Sequence, residues 1–558
     1  MKRLILLLIL SIVFSCKEQA KKEVEKVVLW ESYNDSSEVI ANKDHEIARM
    51  QFKLVQSKIL DKNDVFLPLY SEVSKMTETE YLALKPLILD KNIYELRKSL
   101  EQDKVLSYEK IVLFYLYRIY KYELDNTTTL NTILALNKDV VDQARALDEL
   151  VASGKEPSEK HPIYGLPILL KDNINTAGMK TTAGAIALLD NEVEDAFIVK
   201  QLKAKGALIL GKVNLSEWAY FLCRGCPVGY SAVGGQTLNP YGRKVFETGG
   251  SSSGSGTSMA ASYAVAAVGT ETSGSILSPS SQNSIVGLKP TIGLLSRSGI
   301  VPISSTLDTP GPMTRNVIDN AILLSAMTGY DSNDAASKKD YPRIASAPID
   351  PAKFDEMRLG VFASLMESDS IYKNTIEGLK AKGAKIIEFT PPTVQMDGFL
   401  SILNIDMKND LPEYLKTYSN PEKVKITSIS DAVAFNNLDS LVRIPYGQGL
   451  FNGILEDSTT TKGLEKIKAT LEKNGRTFFD KALGEHHLDA ILSINNYHAG
   501  YAAVAKYPAL TIPMGYKTTG EPISLTFIGK QFLEANLLHL GAAYEKAFPN
   551  RKAPENYK

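Results

Sequence analysis

The segment from Thr248 to Thr291 reads TGGSSSGSGTSMAASYAVAAVGTETSGSILSPSSQNSIVGLKPT, and it concentrates the residues that could do chemistry. Serine hydroxyls can attack a carbonyl or relay a proton. Glycine-rich turns let successive main-chain N–H groups converge on one point, where they can hold an anion or a developing oxyanion. The spacing predicts a Gly/Ser turn, a helix of small residues from about Thr257 to Val268, and a second turn from Gly269 to Ser275. Small helix residues would let the two turns pack closely.

Other uses of the same residues compete. A flexible Gly/Ser linker fits poorly, because the turns interleave with apolar residues and run into Ile285-Val286-Gly287-Leu288. A phosphate loop would need G-x-x-x-x-G-K-[ST], which the segment lacks. Gly250-Ser251-Ser252-Ser253-Gly254 satisfies G-x-S-x-G and could make Ser252 the elbow nucleophile of an α/β-hydrolase-type esterase. Against that, the preceding residues are polar, and none of His45, His161, His486, His487, His498 and His539 sits in a triad context. Cys223 and Cys226 are spaced C-x-x-C without the two further ligands of a zinc site, so they read as structural or incidental.

The elements that must position these residues follow from periodicity. Residues 17–40 are charged and polar and read as a tether. Asp44 to Leu60 is loosely helical, with Asp44 as N-cap, and Leu87 to Leu150 reads as further helices. From about Ile163 short apolar runs alternate with helices. The expected strands are Leu166–Leu170, Ala207–Leu210, Arg358–Phe362, Lys385–Phe389, Ala490–Ile494, Leu510–Ile512 and Ser524–Ile528. Leu-Lys-Ala-Lys-Gly-Ala occurs at 202–207 and again at 379–384, each time between a helix and a strand, with Gly206 and Gly383 as helix-ending residues of positive φ. Residues 396–480 read as a helical insertion over the sheet. This alternation implies an α/β fold.

Composition narrows the partners. Lys plus Arg is 63 and Asp plus Glu 64, a net charge of −1, which argues against nucleic acid. Hydrophobic residues are 44% and charged residues 23%, so the 558-residue chain can bury a large core. Lys2-Arg3 followed by the apolar run Leu4 to Phe14 is too short to span a bilayer but suits a signal-peptide core. Val13-Phe14-Ser15-Cys16 resembles a bacterial lipoprotein cleavage site, although Phe14 is bulky for one, and an ordinary secretory signal is the alternative. The lipoprotein reading expects a signal peptide at 1–15, lipid on Cys16, and an extracytoplasmic protein anchored to a membrane.

Several motifs, in order, resemble the amidase signature family. They are Gly165-Leu166-Pro167-Ile168-Leu169-Leu170-Lys171-Asp172-Asn173, Gly211 to Trp218, Gly249-Gly250-Ser251-Ser252, Gly269 to Ile276, Gly287-Leu288-Lys289-Pro290-Thr291, Asp308 to Met313, and Tyr507 to Pro513. Gly234 to Pro240 and Glu271 are most similar to the peptide amidase branch. The resemblance covers roughly residues 87–550. It implies a large mixed β-sheet covered by helices on both faces, a helical N-terminal extension over 16–86, and a tail at 551–558. It also implies a Ser–cis-Ser–Lys triad: Ser275 as nucleophile, Ser251 (24 residues earlier, with a cis bond after Gly250) as bridge, and Lys171 as base. The main-chain N–H groups of Thr272, Ser273, Gly274 and Ser275 would form the oxyanion hole, with no metal or cofactor.

The implied substrate is a small-molecule or peptide amide. Two departures stand out: Ser273 replaces the family's second glycine, and Leu277 replaces an arginine that would pair with Glu271. The family also contains the glutaminase subunit that feeds tRNA amidation, a role at odds with a secretory signal. A binding lipoprotein that kept the fold without catalysis is the further alternative, against which the intact Lys171, Ser251 and Ser275 stand.

Overall fold

A computed structural model describes residues 27–342, 344 and 349–558. Cys16 and the expected signal peptide lie outside the described residues.

Thirteen strands are present among these residues: β1 Ile133–Leu136, β2 Pro167–Lys171, β3 Leu208–Val213, β4 Tyr230–Ser231, β5 Gly235–Gln236, β6 Ala266–Glu271, β7 Val286–Lys289, β8 Thr309–Thr314, β9 Arg358–Phe362, β10 Lys385–Phe389, β11 Ala490–Ile494, β12 Ala509–Tyr516 and β13 Pro522–Ile528. Eleven form one sheet in the order β1-β3-β2-β6-β8-β7-β12-β13-β11-β9-β10, while β4 and β5 pair separately. The β3-β2-β6 and β11-β9-β10 stretches are parallel and the centre is antiparallel, which makes the sheet mixed. Most of the sheet's strands are buried throughout, as expected where helices cover both faces. The fold is the α/β architecture expected from sequence.

Three expected strands, Arg358–Phe362, Lys385–Phe389 and Ala490–Ile494, match the observed bounds. Gly206 and Gly383 take φ of +82° and +109° after their helices, as the repeat predicted. Residues 399–485 hold five helices, whose apolar residues build a second hydrophobic cluster with Trp218, Phe221 and Ile303, distinct from the large cluster around the sheet, which Phe478, Phe479, Ala482 and Leu483 of the last helix join. The insertion is therefore a cap with its own core. No break in the large cluster marks residue 86 or 551: Phe66 and Tyr81 belong to it, as does Tyr557 near the C-terminus.

Three local expectations are corrected. The small-residue helix is Ser253–Ala260, not Thr257 to Val268. The chain turns at Ser262 (φ +57°), and Ala266–Glu271 is the central strand β6. A strand buried on both faces shows no alternation, so its small apolar residues read equally as helix. Asp44 caps no helix, and the 44–60 stretch holds only the 3₁₀ turn Ala48–Met50. Nor are residues 27–40 a loose tether: Ser36–Ala41 is a helix, and Trp30 and Asp35 are buried. Side chains order this segment instead of periodicity. Asp35 accepts from Val55 N (2.8 Å) and Gln56 N (2.9 Å), and Asn42 Nδ2 donates to the Lys244 carbonyl (2.9 Å).

Candidate active site

Strands β2 and β6 are parallel neighbours, with Ile168 opposite Ala266 and Leu170 opposite Val268. Their carboxyl ends therefore reach the same edge of the sheet, the place where open α/β sheets bind ligands. That edge receives Lys171 from β2 and Thr270 and Glu271 from β6.

Lys171 is fully buried, and its Nζ lies 2.7 Å from Ser251 Oγ, 2.8 Å from Thr270 Oγ1 and 3.2 Å from the Thr270 carbonyl. Among the described residues no carboxylate touches it. Burial disfavours the ammonium and lowers its pKa from 10.5 to about 7, against the opposing pull of Asp308 and Glu271. Ser251 is also fully buried, follows a cis bond from Gly250, and accepts at its carbonyl from Ser216 N (3.0 Å). The next residue joins the two Gly/Ser turns, since Ser252 N donates to the Ser275 carbonyl (3.1 Å). Ser275 faces a cavity of about 470 Å³, whose wall also includes Gly250, Thr272 and Ser273.

The second turn begins at Thr272, because Gly269–Glu271 belong to β6. Glu271 organises it. Its buried carboxylate accepts from Gly274 N (2.6 Å), Ile276 N (2.7 Å) and Leu277 N (3.0 Å). These three N–H groups do what the missing arginine would have done: they satisfy a buried acid. They also bear on the expected oxyanion hole. Gly274 (φ +88°) spends its N–H on Glu271, whereas the N–H groups of Thr272, Ser273 and Ser275 have no acceptor among the described residues. Asp308 braces the turn from outside, accepting from Thr272 Oγ1 (2.5 Å), Ile303 N (2.8 Å) and Ser304 N (2.9 Å).

Other expected residues are placed as follows. Asp172 pairs with Lys212 (2.9 Å) and accepts from Thr182 N (3.0 Å), and Asn214 donates to the Asn131 and Gly235 carbonyls, so both brace loops. Trp218 packs on Phe451 in the cap cluster. Asn173 reaches the lysine's partner, donating to Thr270 Oγ1 (3.0 Å). Cys223 and Cys226 are joined by a disulfide. Ser252 cannot be the elbow nucleophile in this arrangement. Its hydroxyl donates to the Thr270 carbonyl (3.0 Å) and accepts from Thr270 N (3.2 Å), fully buried and without a histidine.

Sequence reasoning missed Thr270 as a ligand of the lysine and Glu271 as the brace of the turn. Alternation along β6 could have found the first only if the strand itself had been recognised.

A larger cavity, about 580 Å³, lies between the helix Thr461–Glu485 and the Ser305–Leu307 segment. It contains no activated nucleophile, and its main cations are paired: Lys468 with Asp406 (2.9 Å), and Arg476 and Lys506 with Glu472 (2.7 and 2.9 Å). The smaller cavity, lined by Ser275 and by Gly250, the neighbour of Ser251, is the candidate site.

Comparison with known proteins gives the family. The amidase family model matches residues 110–493. A probable amidase of Arabidopsis thaliana is 35% identical over 84% of this chain and 92% of its own. Among solved structures, an amidase family protein from Bacillus anthracis is 37% identical with a TM-score of 0.84, covering 90% of this chain and 100% of that one. The peptide amidase from Stenotrophomonas maltophilia is 33% identical with a TM-score of 0.76, covering 84% and 99%. A peptide amidase bound to the competitive inhibitor chymostatin matches equally well. The chain belongs to the amidase family.

Proposed function

We propose that this amidase, a hydrolase of carbon–nitrogen bonds, cleaves its carboxamide through an acyl-enzyme on Ser275. The Ser275 hydroxyl attacks the carbonyl carbon and passes its proton to Ser251 Oγ, whose own proton moves to neutral Lys171. The N–H groups of Thr272, Ser273 and Ser275 receive the oxyanion. One such donor is typically worth about 2.7–4 kcal/mol. The proton returns through Ser251 to the nitrogen, the C–N bond breaks, and ammonia or an amine leaves. Water then attacks the ester, releasing the acid and restoring the Ser275 hydroxyl.

One observation carries this reading: a fully buried lysine whose only close polar partners among the described residues are oxygens of a serine and a threonine. A neutral amine has two N–H groups and one lone pair. The two N–H groups match the two Thr270 oxygens, which leaves the lone pair for the Ser251 hydroxyl. An ammonium there would be a buried charge without a counter-ion in contact. Labelling by a fluorophosphonate, retained in Ser252→Ala and lost in Ser275→Ala, is the expected result. Labelling lost in Ser252→Ala instead would return the esterase reading, and none of the folded wild type would leave a binding protein.

The substrate we propose is a peptide-type amide. The cavity mixes apolar walls with polar side chains, and the similar peptide amidase accepts a competitive inhibitor. Residues 2–16 further support a proposal that Cys16 carries lipid and holds the protein at an extracytoplasmic membrane surface. Metabolic labelling with a radioactive fatty acid, absent in Cys16→Ser, tests it.

A further inference from the structure

The cavity facing Ser275 has two unlike ends. Phe221, Ile303 and Leu403 on its wall are members of the cap's hydrophobic cluster, and Phe399 packs against that cluster. Opposite in character is a charged corner of Arg49, Glu247, Gln282 and Lys517. Its members adjoin one another: Arg49 Nε and Nη2 each sit 3.0 Å from a Glu247 oxygen, and Asn239 Nδ2 donates to both the Glu247 and Gln282 carbonyls (2.8 and 2.9 Å). Lys517 pairs with Glu521 (2.7 Å), whose charge also acts on Glu247. Arg49 comes from the N-terminal segment, which the sequence gave no reason to place at the site.

The two ions of the corner are not equally available. The Glu247 side chain is 17% exposed with Oε1 buried, and Arg49 covers its carboxylate; the Arg49 side chain is 44% exposed. A guanidinium has five N–H donors, and Glu247 takes one in a hydrogen bond, at Oε2. Even with the Tyr220 hydroxyl beside it, donors remain for a ligand. Each cation of the corner has one carboxylate partner, Arg49 with Glu247 and Lys517 with Glu521, so what the corner offers a ligand is the unspent donors of Arg49 and not a net charge. A planar fork with spare donors suits a carboxylate.

We propose that Arg49 determines specificity: the site takes amides whose acyl part holds an apolar residue against the cap wall and ends in a carboxylate, which the Arg49 guanidinium receives. The proposal rests on the amide-hydrolysis reading above and adds the substrate class.

The test uses phenylalanine amide capped on its amino group with acetyl, malonyl, succinyl, glutaryl or β-alanyl, so that charge and reach vary at a fixed scissile bond. The best anionic cap should exceed acetyl in kcat/KM by about tenfold at low salt, with β-alanyl below acetyl, and salt should narrow the gap. Arg49→Ala should bring the anionic-to-acetyl ratio close to one, while Arg49→Lys keeps part of it. An unchanged ratio in Arg49→Ala, or a wild-type preference for acetyl or β-alanyl, overturns the proposal. Refusal of all five amides by a protein whose Ser275 still labels with fluorophosphonate also overturns it, but spares the acyl-enzyme. Absence of both turnover and labelling defeats the underlying reading instead.

Discussion

Two lysines end up at the same edge of the sheet with opposite assignments. Lys171 closes β2 and Lys212 lies in the adjacent parallel strand β3; both are fully buried. Burial lowers both pKa values. Lys212 has the Asp172 carboxylate at 2.9 Å and Thr181 Oγ1 at 2.8 Å, whereas Lys171 has only hydroxyl and carbonyl oxygens. Desolvation is the largest influence on both; at Lys212 a carboxylate in contact opposes it and favours the ammonium, whereas at Lys171 only the acids Asp308 and Glu271, not in contact, do so. One lysine is thereby a structural cation and the other a candidate base, and the difference is one residue of chain: Asp172 follows Lys171 but turns to Lys212.

The comparison can be broken or sharpened experimentally. Ser275→Ala should cost the most, lowering kcat by roughly 10⁴ or more because it removes the attacking atom. Lys171→Met should lower kcat by about 10³ without lowering the melting temperature, since an apolar chain replaces a desolvated amine. In the wild type, kcat should rise as pH climbs through about 7 and level off above it, if the chemical step limits.

The same shift carries a stability consequence. Lys171 has a folded pKa of about 7 against 10.5 unfolded, so between those values the unfolded chain binds more protons and stability rises with pH. Urea titrations across that window should show a shallower rise in Lys171→Met than in the wild type. Lys212→Met should do the reverse of Lys171→Met, destabilising by about 3–5 kcal/mol because Asp172 is left buried and unpaired, with partial recovery on adding Asp172→Asn. Glu271→Gln should have the smallest effect, roughly tenfold in kcat, because an amide supports three N–H donors less well than a carboxylate and the turn loosens. Equal behaviour of the two lysine variants would remove the distinction.

What could be read from sequence follows the physics of each element. Arg358–Phe362, Lys385–Phe389 and Ala490–Ile494 were legible because short apolar runs are bounded by clear helix ends and glycines. β6 was not, because a strand covered on both faces by a small-residue helix and its neighbours carries no period of two. Lys171, Ser251 and Ser275 could be proposed only through the resemblance, since a lone lysine or serine has no local signature. Glu271 was visible as an acid without its arginine, but three main-chain donors from its own turn cannot be inferred from residue types. The N-terminal segment was misread for a related reason: its order comes from contacts with distant residues, such as Asn42 with Lys244 and Ser57 with Val233.

That segment adds its own ties between the two clusters, beside those of the helix Thr461–Glu485, which contributes to both. Gln236 N donates to the Val55 carbonyl (2.9 Å) on the side of the sheet, while Lys53 Nζ donates to the Pro445 carbonyl (2.7 Å) and Lys53 N to the Tyr446 hydroxyl (2.7 Å), both beside Ile444 of the cap cluster. Amide exchange should therefore couple the two ends of the molecule: protection around Tyr446 should fall when Val55 is loosened by a substitution at Asp35, although the two lie in different lobes. Contacts made by a few atoms of the N-terminal segment would thereby link the order of the sheet to that of the cap.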